Sequence, residues 1–256
     1  MQGLTKAIKL EFNNMMERKF SLAFYLFSPV LVIAAFYVSA TLNVDWGAYA
    51  ALGIKLYDLF ASDIISIVIL FVTTQIMVLR IVGERAPYGT LDRELIAISR
   101  AGMFFGKLIA NFLFVFLQCA LIYVGAFVLF PARNYGNQLT VFLFIVLIGL
   151  LGLILGLAIS IFSKNKEQAV QLVPFLVLIL MLMGGIIVPL NQMPSHIVIV
   201  AGNSPLTLGV TSLKNLTLDG VGFEDVTVRM ILLLAWIVGI GAVSLLKFNF
   251  EKKSLA

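Results

Sequence analysis

Long apolar runs separated by short polar intervals set the pattern of this chain. Six stretches read as continuous spans, at about residues 22–42, 60–82, 105–130, 139–162, 168–188 and 228–246. Each is near the roughly 20 residues a helix needs to cross hydrocarbon, and none shows the alternation over about 10 residues that marks a barrel strand. The pattern predicts an all-α integral membrane protein, with residues 1–256 forming one transmembrane domain. Ahead of the first run, Leu4, Ala7, Ile8, Phe12 and Met15 fall on one helical face, and Lys6, Lys9, Asn13 and Glu17 fall opposite. Residues 1–20 therefore read as an amphipathic helix on the membrane surface. Between the fifth and sixth runs, residues 189–227 break into apolar pieces of about 5–8 residues separated by Pro, Gly and Asn, too short to cross a bilayer. They predict short helices lying along or dipping into the outer leaflet, covered by protein so that their backbone groups are satisfied.

Composition agrees with the pattern. With 61% hydrophobic residues, 12% charged residues and a mean hydropathy of +1.05, an ordinary water-soluble domain is excluded. The first run is too long for the core of a signal peptide and has no small-residue cleavage site close behind it, so it is expected to be retained. The single cysteine, Cys119, has no intramolecular partner and reads as a packing residue.

Charge sets the expected orientation. If the N-terminus is cytoplasmic, fourteen of the eighteen lysines and arginines fall on that side: Lys6, Lys9, Arg18, Lys19, Arg80, Arg85, Arg93, Arg100, Lys107, Lys164, Lys166, Lys247, Lys252 and Lys253. Only Lys55, Arg133, Lys214 and Arg229 remain outside. Six spans then put both termini in the cytoplasm, with the plasma membrane of a prokaryotic cell as the expected location. The net charge of +5 is accounted for by anionic lipid and the positive-inside bias, with no nucleic-acid partner needed.

Polar residues inside the runs are the candidate interior chemistry. Asp63 is expected at the outer rim in contact with water. Gln75 and Gln118 lie deep in the second and third spans, where buried amides join helices and also line translocation paths; both are candidate path residues. In the fourth span Gly152, Gly156 and Ser160 have the small-xxx-small spacing that admits a neighbouring helix, with Gly149 just before them. Trp46, Tyr49 and Tyr57, between the first two spans, suit an interfacial aromatic belt. His196 lacks the companions of a metal set and reads as a surface residue. Asn215-Leu-Thr217 fits a glycosylation triplet, which matters only in a secretory context. There is no P-loop, no HExxH and no GxSxG. The chain is expected not to be an enzyme and to bind no cofactor.

The charged interval at 80–107, RIVGERAPYGTLDRELIAISRAGMFFGK, is different in kind. Pro87-Tyr88-Gly89 predicts a turn, Thr90 can cap a helix whose Asp92 complements the N-terminal dipole, and Leu91, Leu95 and Ile98 fall on one face at i, i+4 and i+7. A short amphipathic helix over about 84–101 follows.

The string Glu84-Arg85, Gly89-Thr90-Leu91-Asp92-Arg93-Glu94-Leu95 and Gly106-Lys107 resembles the cytoplasmic signature of type-2 ABC exporter permeases. Gly184-Gly185, Pro189-Leu190, Gln192-Met193-Pro194 and Asn203-Ser204-Pro205-Leu206-Thr207 resemble that family's outer segment after the fifth span. Ala86-Pro87-Tyr88 departs from it, where many members carry charge. The resemblance implies a half-size permease that dimerises with itself or a sibling and binds two cytosolic ABC ATPase subunits, where ATP and magnesium would sit. It implies that Glu84, Arg85, Gly89, Thr90, Leu91, Asp92, Arg93 and Glu94 form a coupling helix against the ATPase. The expected function is export of a hydrophobic or amphipathic cargo such as a drug, a lipid or a glycan-linked molecule. The competing reading is a structural or regulatory membrane subunit that recruits an ATPase without transporting anything.

Overall fold

A computed structural model of the chain describes residues 5, 8–9, 11–13, 19–42, 55–85 and 100–247. Its helices are α1 (Lys19–Leu42), α2 (Leu56–Arg85), α3 (Arg100–Val124), α4 (Gln138–Phe162), α5 (Lys166–Met183), α6 (Ser195–Gly202), α7 (Pro205–Lys214) and α8 (Phe223–Lys247). One π-turn, Gly125–Leu129, extends α3, and another, Asn215–Asp219, extends α7. The described residues contain no strand. Six helices, α1 to α5 and α8, are long and apolar enough to cross a membrane. The expected all-α membrane fold is what forms.

Three boundaries differ from the expected ones. α2 starts at Leu56, not near 60, because Asp58 in its first turn reaches back to accept from the Lys55 N–H at 3.1 Å and also accepts from the Arg133 N–H at 2.9 Å. α3 already begins at Arg100, ahead of its candidate span Phe104–Leu129, so Arg100 and Ala101 belong to the same helix as the third span. α5 ends at Met183, short of 188, where Gly184 and Gly185 follow and Gly185 takes a φ of 73°.

The core is built on α4, the most apolar and most enclosed of the six candidate spans. Its small residues set how close the neighbours come. A Cβ on Gly149 would fall 2.8 Å from Val115 Cγ1 and 2.9 Å from Cys119 Sγ on α3. On Gly152 it would fall 2.9 Å from the Leu70 carbonyl oxygen, and on Gly156 2.5 Å from that of Thr74, both on α2. The glycine row is thus the seat on which α2 and α3 rest, and Cys119 is the buried packing residue expected of it.

α6 and α7 meet at an angle of 84°. Ser204 caps α7, Thr207 Oγ1 donates to the Met183 carbonyl at 3.1 Å, and a Cβ on Gly209 would meet Ile148 Cγ1 at 2.8 Å, so α7 is driven into the bundle against α4. Two expectations are corrected here. Asp63 is not a water-facing rim residue: it is 1% exposed and its Oδ2 lies 2.7 Å from Lys214 Nζ, because α7 and its π-turn cover this part of α2. Ser62 Oγ and Thr217 Oγ1, 2.9 Å apart, strengthen the same contact. Tyr57 does not join an aromatic belt: it is buried beside Tyr37, ring centroids 5.0 Å apart, and donates its hydroxyl to the Ala126 carbonyl at 3.3 Å, an acceptor in the π-turn after α3. Trp46 and Tyr49 lie outside the described residues. His196 is exposed.

The Asp63–Lys214 pair predicts an asymmetry. Lys214 keeps about a third of its side chain accessible, whereas Asp63 is enclosed. Lys214→Met therefore strands a buried carboxylate and is expected to cost about 3–5 kcal/mol. Asp63→Asn leaves a lysine that can turn outward and is expected to cost about 1–2 kcal/mol. Thermal unfolding of the two variants in detergent measures the difference; a larger loss from Asp63→Asn would refute the buried-charge account.

Candidate transmission site

Along α3, Lys107, Asn111, Phe114 and Gln118 follow one another at i, i+4, i+7 and i+11, a spacing that puts all four on one face of the helix. All four are buried. Lysine and asparagine are tolerated there because each finds a charged or amide partner. Lys107 Nζ lies 3.0 Å from Glu11 Oε2, and neither side chain is more than 4% exposed. Asn111 Nδ2 donates to Glu11 Oε1 at 3.2 Å and to the Lys107 carbonyl at 2.8 Å, while Asn111 Oδ1 accepts from Arg80 of α2. The Arg80 guanidinium also sits 4.9 Å from the centre of the Phe114 ring. One polar clamp thus joins the last turns of α2, the first turns of α3 and the segment before α1.

The deeper end of the stripe has a separate cause. Pro29 inside α1 has no N–H, so the Tyr25 carbonyl one turn earlier loses its helical donor. Gln118 Nε2 donates to that oxygen at 3.1 Å. In a membrane such a carbonyl has no water to turn to, so this bond fixes the register of α1 against α3. Leu26, Ile76 and Phe114 pack around it.

The sequence-predicted residues fall as follows. Gln75 is half-buried on α2, and its Oε1 has no hydrogen-bond partner among the described residues. Gln118 Oε1 likewise has none, but its Nε2 is committed to α1. Glu84 and Arg85 are the last two residues of α2, and their side chains lie outside the described residues. Gly89, Thr90, Leu91, Asp92, Arg93 and Glu94 lie outside them as well, as do Leu4, Ala7 and Met15. Residues 5, 8–9 and 11–13 are helical, with Lys9 and Asn13 exposed as expected, Ile8 half-buried and Phe12 exposed. Glu11 turns inward.

Sequence reasoning missed the clamp. In the sequence Arg80 and Lys107 stand out as orientation charges at the two ends of the interval 80–107, Lys107 also within the Gly106-Lys107 signature, while Glu11 and Asn111 carry no role. The available signal was the placing of Lys107, Asn111 and Gln118 on one face of an otherwise apolar α3. Chemically the clamp is suited to holding: its one carboxylate is matched to the Lys107 ammonium and the Asn111 amide, and the arginine, lysine and asparagine in it offer no nucleophile beside a base.

The sequence matches the family described as ABC-2 type transporter over residues 9–217, a stretch that begins just before Glu11 and ends within the π-turn after α7. Among curated proteins, "ABC transporter G family member 20" of Dictyostelium discoideum is 24% identical over 204 residues. That alignment covers 78% of this chain and 28% of the relative, so the chain spans well under a third of the relative's length.

Proposed function

Because this chain belongs to the ABC-2 type transporter family, we propose that it is the membrane permease of an ATP-driven exporter, powered by two cytosolic ABC ATPase subunits that hold the ATP and magnesium. Membership of the family implies an ATP-binding ABC partner. Direction, stoichiometry, pairing with a second permease copy, a plasma-membrane location and cytoplasmic termini are part of the proposal.

The observation that carries it is the clamp of Glu11, Lys107, Asn111 and Arg80 at the two helix ends that flank residues 86–99. A partner pressing on a short segment moves the spans only if that segment is anchored rigidly on both sides. The clamp supplies the anchor, and the surface segment before α1 is tied to it. On this reading Gly89, Thr90, Leu91, Asp92, Arg93 and Glu94 seat in a groove of the ATPase, with Glu84 and Arg85 pairing at its edge. Gln75 and Gln118 face the path of a hydrophobic or amphipathic cargo, Gln75 having the freer amide. Residues 1–256 act as one permease domain.

The test is simultaneous charge reversal at Asp92, Arg93 and Glu94 in the complex with its ATPase. Transport-coupled ATP hydrolysis is expected to fall at least about tenfold, the effect of about 1.4 kcal/mol at the contact, while the permease remains folded. Unchanged coupled hydrolysis would remove the assignment.

A further inference from the structure

α8 meets α4 along a line of small residues. Between Leu232 and Ser244 the two helices leave an apolar groove of about 520 Å³ lined by Ala158, Ala235 and Gly239, with Phe162, Trp236 and Val243 in its walls. Nothing lies within 4 Å of where a Cβ on Gly239 would stand, so the space is open and not filled by a neighbouring helix. From Leu232 to Ser244 the groove runs about 18 Å at the rise of an α-helix, close to one leaflet of a hydrocarbon core about 30 Å thick.

The two ends differ. Toward mid-helix, Trp236 forms a wall held by its Nε1–H, which donates to the Asn203 carbonyl at 3.0 Å. At the other end Lys247 Nζ lies 4.8 Å from the centre of the Phe162 ring, exposed at the mouth. Lys164 and Lys166 follow Phe162 and are exposed, Glu167 beside them being the nearby carboxylate of that turn. After Lys247 the sequence carries Glu251, Lys252 and Lys253. A second helix docking here would need a groove open along its length; this one is one leaflet long, walled at one end and cationic at the other.

We infer that the α4–α8 groove binds an anionic phospholipid, one acyl chain lying along Ala158, Ala235 and Gly239 and the phosphate meeting Lys247. The site lies largely on α8, beyond the stretch matched to the family, and does not depend on which cargo the chain moves.

The chain has two tryptophans, Trp46 and Trp236, so Trp46→Phe leaves a single reporter in the groove wall. In vesicles containing phosphatidylglycerol or phosphatidylcholine with brominated acyl chains, quenching of Trp236 is expected to favour phosphatidylglycerol about fivefold, the worth of one lysine near an anionic headgroup. Lys247→Glu should bring the ratio to about one. Gly239→Phe, which fills the groove from a position with free space, should remove the preference while leaving the thermal transition in place. Equal quenching by the two lipids, or a preference untouched by both substitutions, overturns the proposal. Quenching by both lipids that fades as protein density rises overturns it in favour of a second copy of this chain covering the groove.

Discussion

Gly152→Leu is expected to leave almost no folded protein. A side chain at this position has nowhere to go: its first carbon would run into Thr73 Oγ1 and already falls 2.9 Å from the Leu70 carbonyl oxygen, so that even if the threonine turned away the backbone of α2 would still block it. Gly156 meets the Thr74 carbonyl in the same way one turn further along. The helices have to separate, and that unseats the packing of Ile69, Leu70 and Met77 against α4. Overpacking against backbone is expected to cost more than about 3 kcal/mol, a large part of the stability of a typical domain. Gly239→Leu is the matched control, since the same change there meets nothing within 4 Å. It removes a glycine from a helix interior and is expected to shift stability by less than about 1 kcal/mol. Monodispersity on size exclusion and the thermal transition in detergent compare the two. Similar behaviour of both variants would show that the α2–α4 approach is looser than the geometry requires.

That row of glycines was legible in advance because its signal is local: residues one turn apart on an apolar helix need only helical periodicity to be placed on one face. The six spans were legible for the same reason, since length and hydropathy are properties of a single stretch. What escaped was chemistry that exists only between stretches. Asp63 looks like a rim carboxylate until α7 folds over it and brings Lys214, 151 positions later, within 2.7 Å. Tyr57 looks interfacial until the π-turn after α3 offers the Ala126 carbonyl. Gln118 is recognisable in the sequence as an amide deep in a span, but the acceptor it meets arises from Pro29 on another helix, and no pattern within α3 announces it. Glu11 was the hardest to see, because it stands one turn from Ala7 and from Met15 on the apolar face itself, and only Lys107 and Asn111 give a carboxylate there a reason to be enclosed.

Lys107→Met is expected to damage the protein in two ways that a second substitution separates. Without the ammonium, the Glu11 carboxylate stays buried with the Asn111 amide as its remaining described partner, and an uncompensated buried charge of this kind costs about 3–5 kcal/mol. Adding Glu11→Gln removes the stranded charge while keeping a side chain that can bond Asn111, so most of that loss is expected to return, because neutralising both members of a buried pair is often close to neutral for stability. Coupling to an ATPase behaves differently if the clamp is a lever. The neutral pair holds the segment before α1 to α3 by one ordinary hydrogen bond, where the native pair uses a charge-assisted contact in register with Arg80 and Phe114. The double variant is therefore expected to recover the thermal transition to within about 1 kcal/mol yet keep substrate-stimulated ATP hydrolysis several-fold below that of the unaltered protein. Stability is read from unfolding of the purified permease, coupling from hydrolysis by the reconstituted complex. Full recovery of both in the double variant would reduce the clamp to a packing device and leave residues 86–99 without their anchor.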